Sequence, residues 1–303
     1  MSSVKFGKLD FASPILVASG TYGYGHETKS MVDVNGIGGI ITKSVTLHPR
    51  EGNPPPRIAE TSSGMLNSIG LANVGVNEYC KSKLPYLNEL NTKVIINIAG
   101  TAVDDYVETL KILESAGGNH VGYEVNISCP NVKEGGMSFG VSAKMTESLT
   151  SELRKCTSKL LIMKLSPNVT SIEDIAVGAE NGGADALSAI NTLVGMGIDI
   201  KTRKMKINTT FGGLSGPAIK PVALANVHKV FRAVKIPIIG LGGISCVEDI
   251  IEFILAGADL VQIGTLNYRE PGISIRLAEE LDLYCRDNNL TSISDLKGLA
   301  EYR

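Results

Sequence analysis

Apolar residues along this chain fall in short runs, partly β-branched, separated by longer stretches of mixed character. Eight runs stand out: PILVAS (14–19), GGIITK (38–43), KVIINI (93–98), VGYEVN (121–126), LLIMKL (160–165), ADALSAI (184–190), IPIIG (236–240) and ADLVQIG (258–264). Each reads as a strand. Between most of them lie segments with helical spacing, such as DDYVETLKILESAG and CVEDIIEFILAGA, so the alternation predicts parallel strands joined by crossover helices. Eight such units predict a (β/α)8 TIM barrel, with residues 1–303 forming a single barrel domain; an open, doubly wound sheet is the competing architecture. Two segments are too long for ordinary connections: 44–92, with HPREGNPPPR and SSGMLNSIGLANVG, and 191–220, with DIKTRKMKI. They are expected to build a lid or wall over the barrel mouth.

Composition narrows the class of partner. With 303 residues, 43% of them hydrophobic and 20% charged, the chain can bury a sizeable core. A formal net charge of −2 and the lack of a long basic run give no footprint for nucleic acid or anionic lipid. The start, MSSVKFGKLDFASP, has no basic segment followed by a long apolar one, and no apolar run nears the roughly 18 residues needed to cross a bilayer. A cytoplasmic protein with a small-molecule or protein partner is expected. The five cysteines, at 80, 129, 156, 246 and 285, contain no C-x-x-C pair and predict neither a disulfide framework nor a metal or iron–sulfur site. Cys80, Cys156, Cys246 and Cys285 read as small buried hydrophobes. Cys129 differs, because it stands where a strand gives way to the loop SCPNVKEGG.

In such a barrel the chemistry belongs at the carboxyl ends of the strands. The first run ends in Ser19, the second in Lys43 and Ser44; the third contains Asn97; the fourth ends in Asn126, shortly before Cys129; the fifth holds Lys164, and the sixth leads to Asn191 and Thr192. A lone lysine at a strand end is more often a surface residue. Two lysines, three asparagines and a cysteine at successive ends point instead to a site. The last two runs end in glycine, GLGGIS with Gly242 and Gly243 and IGT with Gly264 and Thr265, while GGLSGPAIKP supplies Gly216. Glycines there let backbone N–H groups approach an anion, which predicts a phosphorylated ligand. No G-x-G-x-x-G or G-x-x-x-x-G-K-[ST] pattern is present, so the phosphate belongs to a mononucleotide cofactor or to a phosphorylated substrate.

Taken in order, ITKS, GMLNSIGLAN, NISCPN, MKLSPN, INT, GGLSGPAIKP, GLGGIS and IGT resemble the class 1 dihydroorotate dehydrogenases from about Val4 to Pro271. SCPNVKEGGMSFG, IDIKTRKMKI and GGLSGPAIKP make the chain most similar to the NAD-linked, two-subunit class 1B branch. Ser44 and the arginine-free GMGIDI depart from that pattern.

The resemblance implies oxidation of (S)-dihydroorotate to orotate in pyrimidine synthesis, with FMN as cofactor. It places Ser19, Lys43, Ser44, Asn97, Asn126, Lys164, Ile190, Gly216, Gly242, Gly243, Gly264 and Thr265 around the FMN. Around the substrate it places Lys43, Asn67, Ser68, Ile69, Gly70, Leu71, Asn126, Asn131, Asn191 and Thr192. Cys129 becomes the base that removes a proton from the substrate. A free thiol, with a pKa of about 8.5, is only slightly ionised at neutral pH, so its loop must lower that value or the reaction must favour alkaline conditions. The resemblance also implies a homodimer within a heterotetramer whose other subunit carries FAD and a [2Fe-2S] cluster. A fumarate-using class 1A enzyme, a related dihydropyrimidine dehydrogenase, and a barrel aldolase forming a Schiff base on Lys43 or Lys164 remain the alternatives.

Overall fold

The computed structural model describes residues 3–128 and 139–301. All eight apolar runs form strands: β1 Ile15–Val17, β2 Gly39–Ile41, β3 Lys93–Ala99, β4 Gly122–Asn126, β5 Leu160–Lys164, β6 Ala186–Ala189, β7 Ile238–Leu241 and β8 Leu260–Ile263. They pair in parallel and close on themselves, β8 returning to β1 from Val261↔Ile15 to Ile263↔Val17. Closure disposes of the open-sheet alternative. The strands are apolar nearly throughout because both of their faces are covered, one by the barrel interior and one by helices.

The helices are α1 Val76–Ser82, α2 Leu84–Asn88, α3 Val103–Ala116, α4 Ala143–Arg154, α5 Ile172–Asn181, α6 Lys220–Ala233, α7 Val247–Leu255 and α8 Ile273–Asp287. Ser142 and Ser171 cap α4 and α5 by accepting from the amides of Met145 and Asp174. Asp105 and Asp249, three residues into α3 and α7, reach back to the amides of Ala102 and Cys246. These caps start each helix a few residues beyond its strand, which leaves a short polar turn at the barrel mouth. Between β1 and β2 the described helical structure is limited to a 3₁₀ turn, Val34–Gly36.

Both long segments contribute to one structure. Strands at Leu193–Gly195, Gly212–Ser215, Gly64–Asn67 and Ile58–Thr61 form, in that order, a four-stranded antiparallel sheet. It is tied to the mouth from two sides. Thr265, just past β8, donates to Ser215 Oγ at 2.7 Å, and Asn168, just past β5, donates to the Thr192 carbonyl at 3.0 Å. The expected lid is therefore a roof sheet. At the other end a hairpin, Val4–Phe6 with Leu9–Phe11, precedes β1. Phe11 is fully buried there, and Phe6 meets it edge to face.

No helix among the described residues is long and apolar enough to cross a membrane. Cys80, Cys156, Cys246 and Cys285 are free thiols and only half-buried, which corrects the reading of them as buried hydrophobes. All four lie on helices or at helix ends, in the outer layer, where no further layer covers them.

Candidate active site

Strand register brings the polar residues level with one another. Asn97 on β3 pairs with Glu124 on β4, and Asn126 on β4 pairs with Lys164 on β5, which in turn pairs with Ser188 on β6. Side chains alternate along a strand, so Glu124 and Asn126 share a face, and the hydrogen bonds made by Glu124 put that face inside the barrel.

Glu124 is the hub of the interior. Its side chain is fully buried and accepts four hydrogen bonds: from Asn97 Nδ2 at 2.7 Å, Lys164 Nζ at 3.2 Å, Ser188 Oγ at 2.9 Å and Gln262 Nε2 at 2.7 Å. These donors come from β3, β5, β6 and β8. A buried carboxylate is tolerable only when paired and saturated in this way. Asn97 extends the network, since its Oδ1 accepts from Ser44 Oγ at 2.5 Å. Three residues expected at the cofactor, Ser44, Asn97 and Lys164, are thus joined through an acid that the sequence reading passed over. A signal for it existed: Glu124, Ser188 and Gln262 each lie two residues before an expected site residue (Asn126, Ile190 and Gly264), and so on the same face of the strand.

A second network lies nearer the mouth. Asn191 Nδ2 donates to Asn126 Oδ1 at 3.2 Å, and the Thr192 amide donates to Asn191 Oδ1 at 2.8 Å. Asn168, also missed by sequence, holds this turn by accepting from the Val194 amide at 2.9 Å. Asn67 enters from the roof, its Nδ2 donating to the Gly213 carbonyl at 3.2 Å, next to the Leu193↔Leu214 pair that follows Thr192. Ser68 and Ile69 are fixed by Asn53, whose side chain donates to Ser68 Oγ at 2.7 Å and whose amide donates to the Ile69 carbonyl at 3.1 Å. Gly70 and Leu71 follow with φ of 73° and 57°.

Lys43, half-buried at the end of β2, is anchored by its amide on the Gly23 carbonyl at 2.8 Å. Burial lowers its ammonium below the usual lysine range, with Glu27 opposing that shift and Arg57 adding to it. Ser19 follows β1 beside Gly20, whose carbonyl accepts from Tyr268 at 2.9 Å. Among the described residues no side-chain hydrogen bond joins Lys43 or Ser19 to the two networks. Cys129 and Asn131 lie outside the described residues.

The glycines form a third feature. Gly243 has φ +83°, and a Cβ there would come within 2.8 Å of the Lys220 amide nitrogen and 2.9 Å of the Gly216 carbonyl oxygen. The end of β7, Gly216 and the start of α6 are therefore pressed together, with no room for side chains. Gly264 is the opposite case. It has an ordinary negative φ of −109°, and a Cβ on it would find nothing closer than Ala18 at 3.8 Å. Packing therefore leaves room for a side chain at 264, although its ψ of −101° lies outside the usual α and β regions. Ile190, fully buried, joins β6 to β7 through its amide on the Leu241 carbonyl.

Tightly packed backbone at the end of β7, open room beside Gly264 at the end of β8, and a paired lysine with amides along the interior wall gather at the carboxyl ends of the strands. The class so defined is a (β/α)8 barrel enzyme. Within that class the whole sequence decides. The family model described as dihydroorotate dehydrogenase matches residues 1–284, and the chain belongs to that family. It is 48% identical over 300 residues to the dihydroorotate dehydrogenase B (NAD(+)), catalytic subunit, of Phocaeicola vulgatus, covering 99% of this chain and 98% of that one. It is likewise 48% identical over 298 residues to the protein of the same name in Desulforamulus reducens, covering 98% of each. Among solved structures it resembles DHODH from Eimeria tenella in complex with ferulenol, with a TM-score of 0.82 and 24% identity, covering 98% of this chain and 88% of that one. At that identity the likeness speaks for the fold.

Proposed function

We propose that this chain is the catalytic, FMN-binding subunit of an NAD-linked dihydroorotate dehydrogenase, oxidising (S)-dihydroorotate to orotate in the cytoplasm during pyrimidine synthesis. The observation that carries the reading is the meeting of Ser44, Asn97 and Lys164 in one interior network, below the Asn126–Asn191 pair and beside the glycine ends of β7 and β8. FMN fits the residues present: the open space at Gly264 and the bare backbone at Gly216, Gly242 and Gly243 would take its phosphate, while Asn97 and Lys164 would line its ring.

When bound, FMN supplies the acceptor for the hydride that leaves C6 of dihydroorotate. The chain's own residues do the rest. Asparagine amides both donate and accept, so Asn67, Asn126, Asn131 and Asn191 match the alternating carbonyl and N–H groups of the ring edge. Lys43 and the backbone of 68–71 would hold the substrate carboxylate. Cys129 removes the proton from C5. The ammonium of Lys164 stabilises negative charge that develops beside it, and because it is already paired with Glu124 it is poorly placed to act as a Schiff-base amine.

Electrons leave through a partner subunit expected to carry FAD and a [2Fe-2S] cluster, around a dimer of this chain. Ile58, Val194, Met196, Ile200 and Phe211 stand exposed on or beside the roof sheet, and exposed apolar side chains there support assembly with further protein chains. The test uses the isolated chain loaded with FMN. Dihydroorotate should bleach the flavin anaerobically without appreciable NADH formation, and adding the partner subunit should start NADH production. Cys129→Ala should still bind FMN but bleach ~10²–10⁴-fold more slowly. Rapid NADH production by the isolated chain would overturn the two-subunit reading, and rapid fumarate reduction would move the chain to the class 1A branch.

A further inference from the structure

Glu124 performs no step in the chemistry above, yet it is the most completely enclosed acid of the interior. Its two oxygens take donors from four strands, which uses the full accepting capacity of a carboxylate. Stability alone does not account for it, because well-packed apolar side chains would serve a barrel core at least as well as a buried ion pair. Every contact it makes leads to the site. Lys164 and Asn97 are expected at the cofactor, and Ser188 and Gln262 each lie one residue before the ends of β6 and β8.

We propose that Glu124 is a positioning residue that fixes the Lys164 ammonium and the Asn97 amide under the flavin and sets how much positive charge the flavin meets. The inference rests on the proposed placement of FMN beside Lys164. Lys164 is level in register with Asn126, one inward-facing step nearer the mouth than Glu124, and its ammonium reaches back to the carboxylate at 3.2 Å. The pair therefore presents a tethered, partly compensated cation to the ligand in place of a bare one. Asn97, bound by Glu124 on its nitrogen and by Ser44 on its oxygen, cannot turn its amide over without breaking both bonds.

The electrostatic consequence has a sign. Removing the carboxylate charge leaves Lys164 uncompensated in a medium of low dielectric constant, which favours the anionic, reduced form of a flavin over the neutral, oxidised one. Glu124→Gln keeps the side chain's size. The new amide can be accommodated, since Gln262 Oε1 is buried with no partner among the described residues and a turn of that amide offers it as an acceptor.

The experiment is the flavin midpoint potential of the FMN-loaded wild type, Glu124→Gln and Glu124→Asp, measured by spectroelectrochemistry together with the FMN dissociation constant. Glu124→Gln should favour reduced over oxidised FMN by about tenfold, which for a two-electron couple is a rise of about 30 mV. Glu124→Asp keeps the charge but draws it back from Lys164, so it should shift the potential in the same direction by less; it decides the matter if the glutamine variant does not fold. A purely structural role would weaken both oxidation states of FMN alike and leave the potential unmoved, and that result would overturn the inference. If the wild-type chain takes up no FMN, the proposed function fails first. If all three proteins bind FMN with one potential, only the role of Glu124 fails.

Discussion

Two carboxylates belonging to successive elements of one β/α unit are put to different uses. Glu124, on β4, lies inside the barrel, fully buried, with donors from four other strands. Glu114, on α3, lies outside it, and accepts from Tyr123 Oη and Thr157 Oγ1, each at 2.7 Å, and from Lys159 Nζ at 3.0 Å. Both are paired with a lysine at close range. They differ in exposure: the Lys159–Glu114 side chains are 27% and 26% exposed, whereas those of Lys164 and Glu124 are 7% and 0% exposed. Water moderates the outer pair, so it fastens helix to barrel and little else. The inner pair acts across a low-dielectric space, where the same charges act strongly on whatever binds beside them.

The largest difference should appear when each lysine is removed. Lys164→Met leaves Glu124 buried without its counter-charge, a kind of change that costs about 3–5 kcal/mol. It should also slow flavin reduction by about 10²-fold, the scale for loss of one preorganised stabilising group. Thermal denaturation of the FMN-free protein and stopped-flow bleaching of the loaded one separate the two effects. Lys159→Met should leave bleaching unchanged.

Acid should act on the outer network. His120, buried beside Tyr123 with its Nε2 2.7 Å from that hydroxyl, has its pKa lowered from 6.5 to about 4 by burial and by Lys159, with Glu114 opposing. Burial pushes Glu114 upward, but hydrogen bonds from Thr157, Tyr123 and Lys159 outweigh it and hold that carboxyl below its ordinary range. For His120 the unfolded chain binds the proton first, so stability is present above pH 6.5 and falls as the pH drops toward about 4. At about 1.36 kcal/mol per pKa unit the loss is roughly 3 kcal/mol at most. The Glu114 contribution is lost at still lower pH, as the pH falls through its depressed folded-state value. Melting temperature should therefore fall as the pH is lowered from 6.5 toward about 4, and His120→Gln should flatten that fall.

The smallest effect belongs to Glu114→Gln. The amide oxygen still accepts from Tyr123 or Thr157, and the lost ion pair is partly exposed, so a cost of about 1 kcal/mol is expected in denaturant unfolding. FMN affinity and potential should not move.

The same inside–outside contrast explains what the sequence could reveal. The eight strands were legible because buried parallel strands need continuous apolar runs, and the observed bounds differ from the runs by a residue or two. Lys164, Asn97 and Asn126 stand out in the sequence because polar residues break those runs near the mouth, and the structure draws them into the two networks; Lys43 stands out in the same way, but among the described residues no side-chain hydrogen bond joins it to either. Glu124 sits inside a run, where a single charged residue looks like noise unless the alternation is counted back from Asn126. The roof sheet was legible only as excess length: Gly64–Asn67 and Gly212–Ser215 are short, glycine-rich and far apart in the chain, and only the closed barrel brings them together.

The most direct test of the account compares anaerobic bleaching rates in three FMN-loaded proteins, wild type, Lys164→Met and Glu114→Gln, each mixed rapidly with saturating dihydroorotate. The account predicts equal rates for wild type and Glu114→Gln and a rate about 10²-fold lower for Lys164→Met. Lys164→Met bleaching as fast as wild type, or Glu114→Gln slowing as much as Lys164→Met, would contradict the assignment of the barrel interior to chemistry and of the outer network to structure.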